Sequence, residues 1–276
     1  MEAIKPVLIN IIRESPSRNN LFKRNILKEY LQIVVLDFLY SHPVYSQLFF
    51  YGGSALAHCF NLQRLSEDLD FIDETKKIKI PKLAKDLENY FSTRTDLPVK
   101  AVAQKFRVYL KFPILRELGV STREETDALL LKVEVFSRFD FCEQYSTDIR
   151  PVFKYNRSIL IKTLDMATLM STKIRAILYR KWEKTDKQGN ITMKVKGRDY
   201  FDLLWYLQQG IQPNLSCIEG IENLKGLKEK LLTMVSRIDS QSIRLDLEAL
   251  IADADFVNNL SRNMKAILER EIAEKL

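Results

Sequence analysis

The residues best suited to chemistry lie between positions 52 and 71. Gly52-Gly53-Ser54 is followed, ten residues on, by Arg64-Leu65-Ser66-Glu67-Asp68-Leu69-Asp70-Phe71. Alternate side chains of a strand share a face, so Asp68 and Asp70 project together, with α-carbons about 6.5–7 Å apart. Two carboxylates that close repel each other unless a cation sits between them. Oxygen ligands of this kind suit Mg²⁺ or Mn²⁺. A pair of such ions stabilises the attacking and leaving oxygens of phosphoryl-type transfer. The glycines let backbone approach a phosphate closely, and a helix starting there offers it free N–H groups. Ser54 adds a hydroxyl. Taken singly, Gly-Gly is more often a tight turn and Asp-x-Asp an exposed strand edge. Their order, strand then Gly-Gly-Ser then helix then strand with Asp-x-Asp, makes the chemical reading specific.

The elements that must position these residues are legible around them. Residues 1–45 read as helical, with apolar residues from Leu21 to Tyr40 near helical spacing. Gln47 to Tyr51 is a short aromatic strand ending at the glycines. Ser54 can cap a helix over Ala55 to Phe60. A strand from near Glu67 runs through Ile72, and Pro81 opens a helix to about Phe91. Val99 to Phe112 and Ala128 to Phe136 alternate as strands. Leu164 to Trp182, Arg198 to Gln208, Ile221 to Ile238 and Phe256 to Lys275 are helical. Glu183 to Lys196 is polar, with a turn at Gln188-Gly189-Asn190. The expected class is α+β: a small mixed sheet with helices over 1–160, then a helical half over 161–276.

Composition narrows the function classes. Of 276 residues 46% are hydrophobic and 29% charged, as in globular domains, and no apolar run is long enough to span a bilayer. The start, Met1-Glu2-Ala3-Ile4-Lys5-Pro6, lacks a secretory signal, which predicts a cytoplasmic location. Two histidines are too few for a His-rich metal site, and the three scattered cysteines, Cys59, Cys142 and Cys217, lack zinc-site spacing and read as buried apolar groups. Any metal is left to carboxylates. The net charge of +7 is concentrated between Lys162 and Arg198, the footprint of a polyanion binder or a solvated basic face.

The pattern Gly-Gly-Ser-x-Leu followed by Ser-x-Asp-x-Asp-Phe resembles the AbiEii/AbiGii-type toxin nucleotidyltransferases of the polymerase-β-like superfamily. Lys132-Val133-Glu134-Val135 is similar to their second motif. Lys173-Ile174-Arg175 through Arg180 is similar to the third, and Arg198-Asp199-Tyr200-Phe201-Asp202-Leu203 to the fourth. The matches run in family order from residue 51 to about 207. The resemblance implies a polymerase-β-like core and an enzyme that takes a nucleoside triphosphate with Mg²⁺ (or Mn²⁺) and releases pyrophosphate. It implies metal ligands at Asp68 and Asp70, and Glu134 activating the attacking hydroxyl. Lys173 would contact the triphosphate, with Gly52, Gly53, Ser54, Ser66, Arg180 and Asp199 around the nucleotide. It also implies an acceptor such as the tRNA 3′ end, arrest of translation and a cognate antitoxin.

Several residues keep two readings. Lys132 shares a strand face with Glu134, so a plain salt bridge competes with catalysis. Lys173 and Arg180 share a helix face while Arg175 lies about 200° from Lys173. Asp199 and Asp202 share another face, and Asp202 is the better match for the essential acid, orienting Lys173 or binding nucleotide. Ser66 either touches phosphate or caps a turn. Arg175, Lys181, Trp182, Lys194, Lys196 and Arg198 interleave aromatic and basic groups as an RNA contact would; Trp182 is equally a packing residue. A nucleotidyltransferase acting on a protein or small-molecule hydroxyl, and a catalytically silent nucleic-acid-binding module, remain as alternatives.

Overall fold

In the computed structural model, which describes residues 1–276 apart from 122–125, 138, 140, 143 and 187, the chain divides into two units. The first comprises Met1–Phe139 and Asp148–Thr163, the second Asp140–Thr147 and Leu164–Leu276.

The first unit is built on a mixed sheet whose logic is clearest in β5, Ala128–Phe136. Leu129, Leu131, Val133 and Val135 are buried, and Leu130, Lys132, Glu134 and Phe136 project from the other face. Burial of each such aliphatic side chain stabilises the fold by roughly 1.5–3 kcal/mol. The sheet has seven strands in the order β3-β4-β5-β2-β1-β7-β6. β1 (Phe49–Tyr51) and β2 (Leu69–Ile72) are antiparallel, β2 runs parallel to β5, and β1 runs parallel to β7 (Arg157–Leu164). β3 (Lys100–Gln104) and β4 (Arg107–Pro113) extend it beyond β5 as an antiparallel pair. The sheet's core side packs with α1 (Ile4–Arg13), α2 (Asn20–Ser41) and α4 (Ile80–Arg94) in one apolar cluster. Asn19 caps α2 through the N–H groups of Leu21 and Phe22, and Pro81 sits in the first turn of α4.

The second unit is mainly helical. α5 (Met166–Tyr179) is capped by Asp165, and α6 (Gly197–Gln208), α7 (Leu224–Val235), α8 (Ser240–Leu247) and α9 (Ala254–Lys275) follow. Gly197 lets α6 lie against α8, because a Cβ there would stand 2.8 Å from the backbone of Ile243. Among the described residues no helix is long and apolar enough to cross a membrane.

The structure departs from the sequence reading at definite places. The run Val99 to Phe112 is two strands, broken where Lys105 takes a positive φ of 34°. Residues 147–163, to which periodicity assigns no element, and Leu164, expected to open a helix, form the hairpin of β6 (Thr147–Lys154) and β7, turned by Tyr155 and Asn156 at φ 51° and 57°. Positive φ at both central residues is the type I′ signature, usually written Asn-Gly. α5 stops at Tyr179 rather than Trp182, and the polar segment after it pairs β8 (Lys184–Thr185) with β9 (Ile191–Met193). Helix α8 has no counterpart in the sequence reading. Cys142 and Cys217, expected as separate buried thiols, are both buried but joined as a disulfide. Cys59 remains free.

Candidate active site

The glycine pair earns its place by geometry. β1 ends at Tyr51 and α3, Gly52–Cys59, begins at the next residue, with Gly52 at φ +81°. A Cβ at Gly52 would stand 2.6 Å from Asp70 Oδ2, and one at Gly53 would stand 2.8 Å from Arg64 Nη2. The backbone conformation at 52 favours glycine, and a Cβ there would push the Asp70 carboxylate aside. The first turn of α3 is thereby brought against Asp70.

Ser54 does something other than cap a helix starting at Ala55. It lies within the first turn, fully buried, and its hydroxyl donates to the Asp68 carbonyl at 2.6 Å. It positions the residue before β2 rather than offering a free hydroxyl to phosphate. Ser66 is held in a similar way: Gln32 Nε2 donates to its carbonyl at 2.9 Å, and Gln32 Oε1 meets His58 Nε2 at 2.8 Å. Burial, with a smaller contribution from Lys154, pushes His58 down to about 3, so its ring is a neutral structural group. Buried Arg64 donates to the Leu65 carbonyl at 2.8 Å. The loop into β2 is thus fixed by buried polar contacts.

On the open face of the sheet the acids gather. Asp70 of β2 lies beside Glu134 of β5 in parallel register. Lys132 does not bridge Glu134: its ammonium meets Asp68 Oδ2 at 2.6 Å, while Glu134 is paired at 3.2 Å with Arg107 of β4. Burial lowers the Lys132 pKa, but the Asp68 hydrogen bond and the attraction of Asp68, Glu134 and Asp70 outweigh it, and the net shift is upward. Arg107 was not singled out from the sequence; its one visible signal is its place in the alternation with Tyr109 and Lys111.

Among the described residues no three His, Cys, Asp or Glu side chains converge as a ready metal cage. The donor set nevertheless fits a hard divalent ion. It is all oxygen, it shares one face, and the Lys132 ammonium stands in as the cation these carboxylates attract. Asp68 and Asp70 would be the protein's ligands, with water and phosphate completing the shell, as Mg²⁺ prefers.

The second unit holds a separate ion cluster. Lys173 on α5 meets Asp202 on α6 at 2.7 Å and Asp199 at 3.4 Å, and Arg180 meets Asp199 at 3.0 Å. The Lys173 and Asp202 side chains are 11% and 0% exposed, so Asp202 serves to hold Lys173. An ammonium has three N–H donors, which leaves Lys173 one beyond these two contacts. Arg175 turns away to Glu219 and lies over the Phe141 ring at 3.3 Å. Arg198 binds Asp246 through its backbone N–H at 2.9 Å and its guanidinium at 2.8 Å, an anchor of α6 to α8. Lys181 and Lys194 are exposed, and Lys196 Nζ lies 5.4 Å from the centre of the Trp182 ring.

JHP933 from Helicobacter pylori is 18% identical, with 89% of this chain and 92% of that chain covered and a TM-score of 0.45. A second solved H. pylori chain, described as a candidate nucleotidyltransferase, is 18% identical with 91% and 96% covered and a TM-score of 0.47. The CD-NTase CdnG of Bradyrhizobium diazoefficiens, solved with GTP, is 14% identical with 98% and 75% covered and a TM-score of 0.25. No curated protein matches the sequence. The family model for the nucleotidyl transferase AbiEii toxin of type IV toxin–antitoxin systems matches residues 37–274, nearly the whole chain. The chain therefore belongs to the AbiEii family of toxin nucleotidyltransferases.

Proposed function

We propose that this nucleotidyltransferase moves a nucleotidyl group from a nucleoside triphosphate to an RNA hydroxyl, at the tRNA 3′ end, and so blocks translation in the cytoplasm until a cognate antitoxin relieves it. The observation that carries the reading is the closeness of Gly52 to Asp70: a helix N-terminus, where phosphate binds, abuts a carboxylate suited to metal. The acceptor oxygen attacks the α-phosphorus, the bond to the bridging oxygen breaks, and pyrophosphate leaves. Asp68 and Asp70 would hold Mg²⁺ (or Mn²⁺), which would supply the charge that neutralises the phosphate oxygens. Backbone N–H groups at Gly52 and Gly53 cradle phosphate, with Ser54 and Ser66 fixing the cradle. Lys173, oriented by Asp202, balances triphosphate charge, and Glu134 accepts the acceptor's proton.

The test incubates purified protein with total tRNA, Mg²⁺ and each α-³²P-labelled nucleoside triphosphate, beside an Asp68→Ala control. Label on RNA with the wild type alone supports the reading. Label on protein or a small molecule instead sinks the RNA acceptor, and equal transfer by Asp68→Ala sinks the assignment of the site.

A further inference from the structure

A cavity of about 90 Å³ opens in the helical unit between the end of α5, the segment leading into α6, and α7. Its rim carries Arg180, Lys194, Lys196 and Trp182, and its floor includes Ile177 and Met234. One carboxylate, Asp199, also lines it, and Arg180 already engages that group at 3.0 Å. Three cations against one paired acid leave a surplus of positive charge around a half-buried indole.

We infer that this cavity and its rim bind one nucleotide of a single-stranded RNA acceptor, its phosphate in the cavity against Arg180, Lys194 and Lys196 and its base outside it against Trp182. The inference rests on the nucleotidyltransferase reading and gives the acceptor a place in the second unit. A nucleotide is the ligand that joins an anion to a flat ring, and such rings stack on aromatic side chains whatever their sequence. The triphosphate donor fits less well. It travels with a divalent ion, and the lining has no pair of carboxylates to hold one. An acceptor strand needs a path onward, and exposed Lys181 and Lys184 extend the basic surface past the rim. Lys196 is a poised partner: burial first, then Arg198 and Arg180, lower its pKa, and an entering phosphate would relieve that strain.

The experiment uses full-length Asp68→Ala protein without metal or triphosphate, so binding is read apart from turnover. A fluorescein-labelled single-stranded RNA dodecamer is titrated onto it by anisotropy, and a fluorescent non-transferable nucleoside triphosphate analogue is titrated with Mg²⁺ onto protein that keeps Asp68. Lys194→Gln combined with Lys196→Gln should weaken RNA about tenfold, flatten its salt dependence by one to two in log–log slope, and leave the analogue unchanged. Lys194 is exposed, so Lys194→Gln alone keeps the test valid if the double variant melts early. In a Trp205→Phe background Trp182 is the sole indole, and RNA should quench it. Unchanged RNA affinity, an unquenched Trp182, or a loss confined to the analogue would overturn the inference. Radiolabel transfer by the wild type judges the enzymatic reading separately.

Discussion

Two lysine–aspartate pairs of nearly equal length lie in different settings. Lys132 meets Asp68 at 2.6 Å on the sheet, with side chains 32% and 26% exposed. Lys173 meets Asp202 at 2.7 Å between helices, with side chains 11% and 0% exposed. Water reaches the first pair, so its charges can part and take other partners at little cost. The second is walled in, and parting it gives up the shorter contact of a buried charge in a low dielectric. Equal distances therefore describe an exchangeable counter-ion in one unit and a fixed strut in the other. The difference suits a divalent ion that arrives with its substrate and a lysine that must already be in place.

The comparison is broken most severely at the carboxylates themselves. Asp68→Ala or Asp70→Ala should reduce radiolabel transfer by about a thousandfold or more, the loss of several kcal/mol of charge stabilisation. The melting temperature should stay within about 3 °C, since an exposed pair contributes roughly 1 kcal/mol or less. Asp202→Ala should behave in the opposite way. It leaves buried Lys173 with only its longer, 3.4 Å contact to Asp199, costs about 3 kcal/mol, and lowers the melting midpoint by roughly 10 °C in differential scanning fluorimetry. A midpoint shift no larger than that of Asp68→Ala would erase the distinction.

The support behind the sheet site titrates. His58 is neutral when folded, with its pKa down at about 3 against 6.5 when unfolded. The unfolded chain then binds the extra proton between these values. Stability is complete above pH 6.5 and falls as pH drops toward 3, by up to about 1.4 kcal/mol per pH unit. His58→Gln should flatten the pH dependence of urea midpoints between pH 6.5 and 4. An unaltered slope would show that other groups govern it.

The smallest effect sharpens the comparison. Lys132→Met removes the stand-in cation, so Mn²⁺ should bind several-fold more tightly by electron paramagnetic resonance titration, with stability changed by less than about 1 kcal/mol. Weaker Mn²⁺ binding would mean that Lys132 builds the site instead of competing for it.

Much of the sheet was legible because its signals are local. The alternation through β5, the aromatic strand ending at Gly52 and the Asp68–Asp70 spacing each fit within a few residues. The β6–β7 hairpin was not, because Tyr155-Asn156 makes a turn without glycine and Pro151 interrupts the strand pattern. The partners of Lys132 and Glu134 depended on pairing across three strands, which brings Arg107 to Glu134 from 27 positions earlier. The Cys142–Cys217 bond spans 75 residues and no local spacing announces it. Ser54 was visible as a hydroxyl next to the glycines, but its hydrogen bond to Asp68 exists only once β1 and β2 are paired.

The crowding at the start of α3 has a genetic consequence. Every first- or second-position base change in a glycine codon yields either a residue with a Cβ or a stop. At Gly52 that atom meets Asp70, and at Gly53 it meets Arg64. In cells selected to survive expression of this toxin family member, missense escape should collect at these two codons and at those of Asp68 and Asp70. The codon of Lys132, whose loss leaves the carboxylates intact, should drift without rescuing anyone.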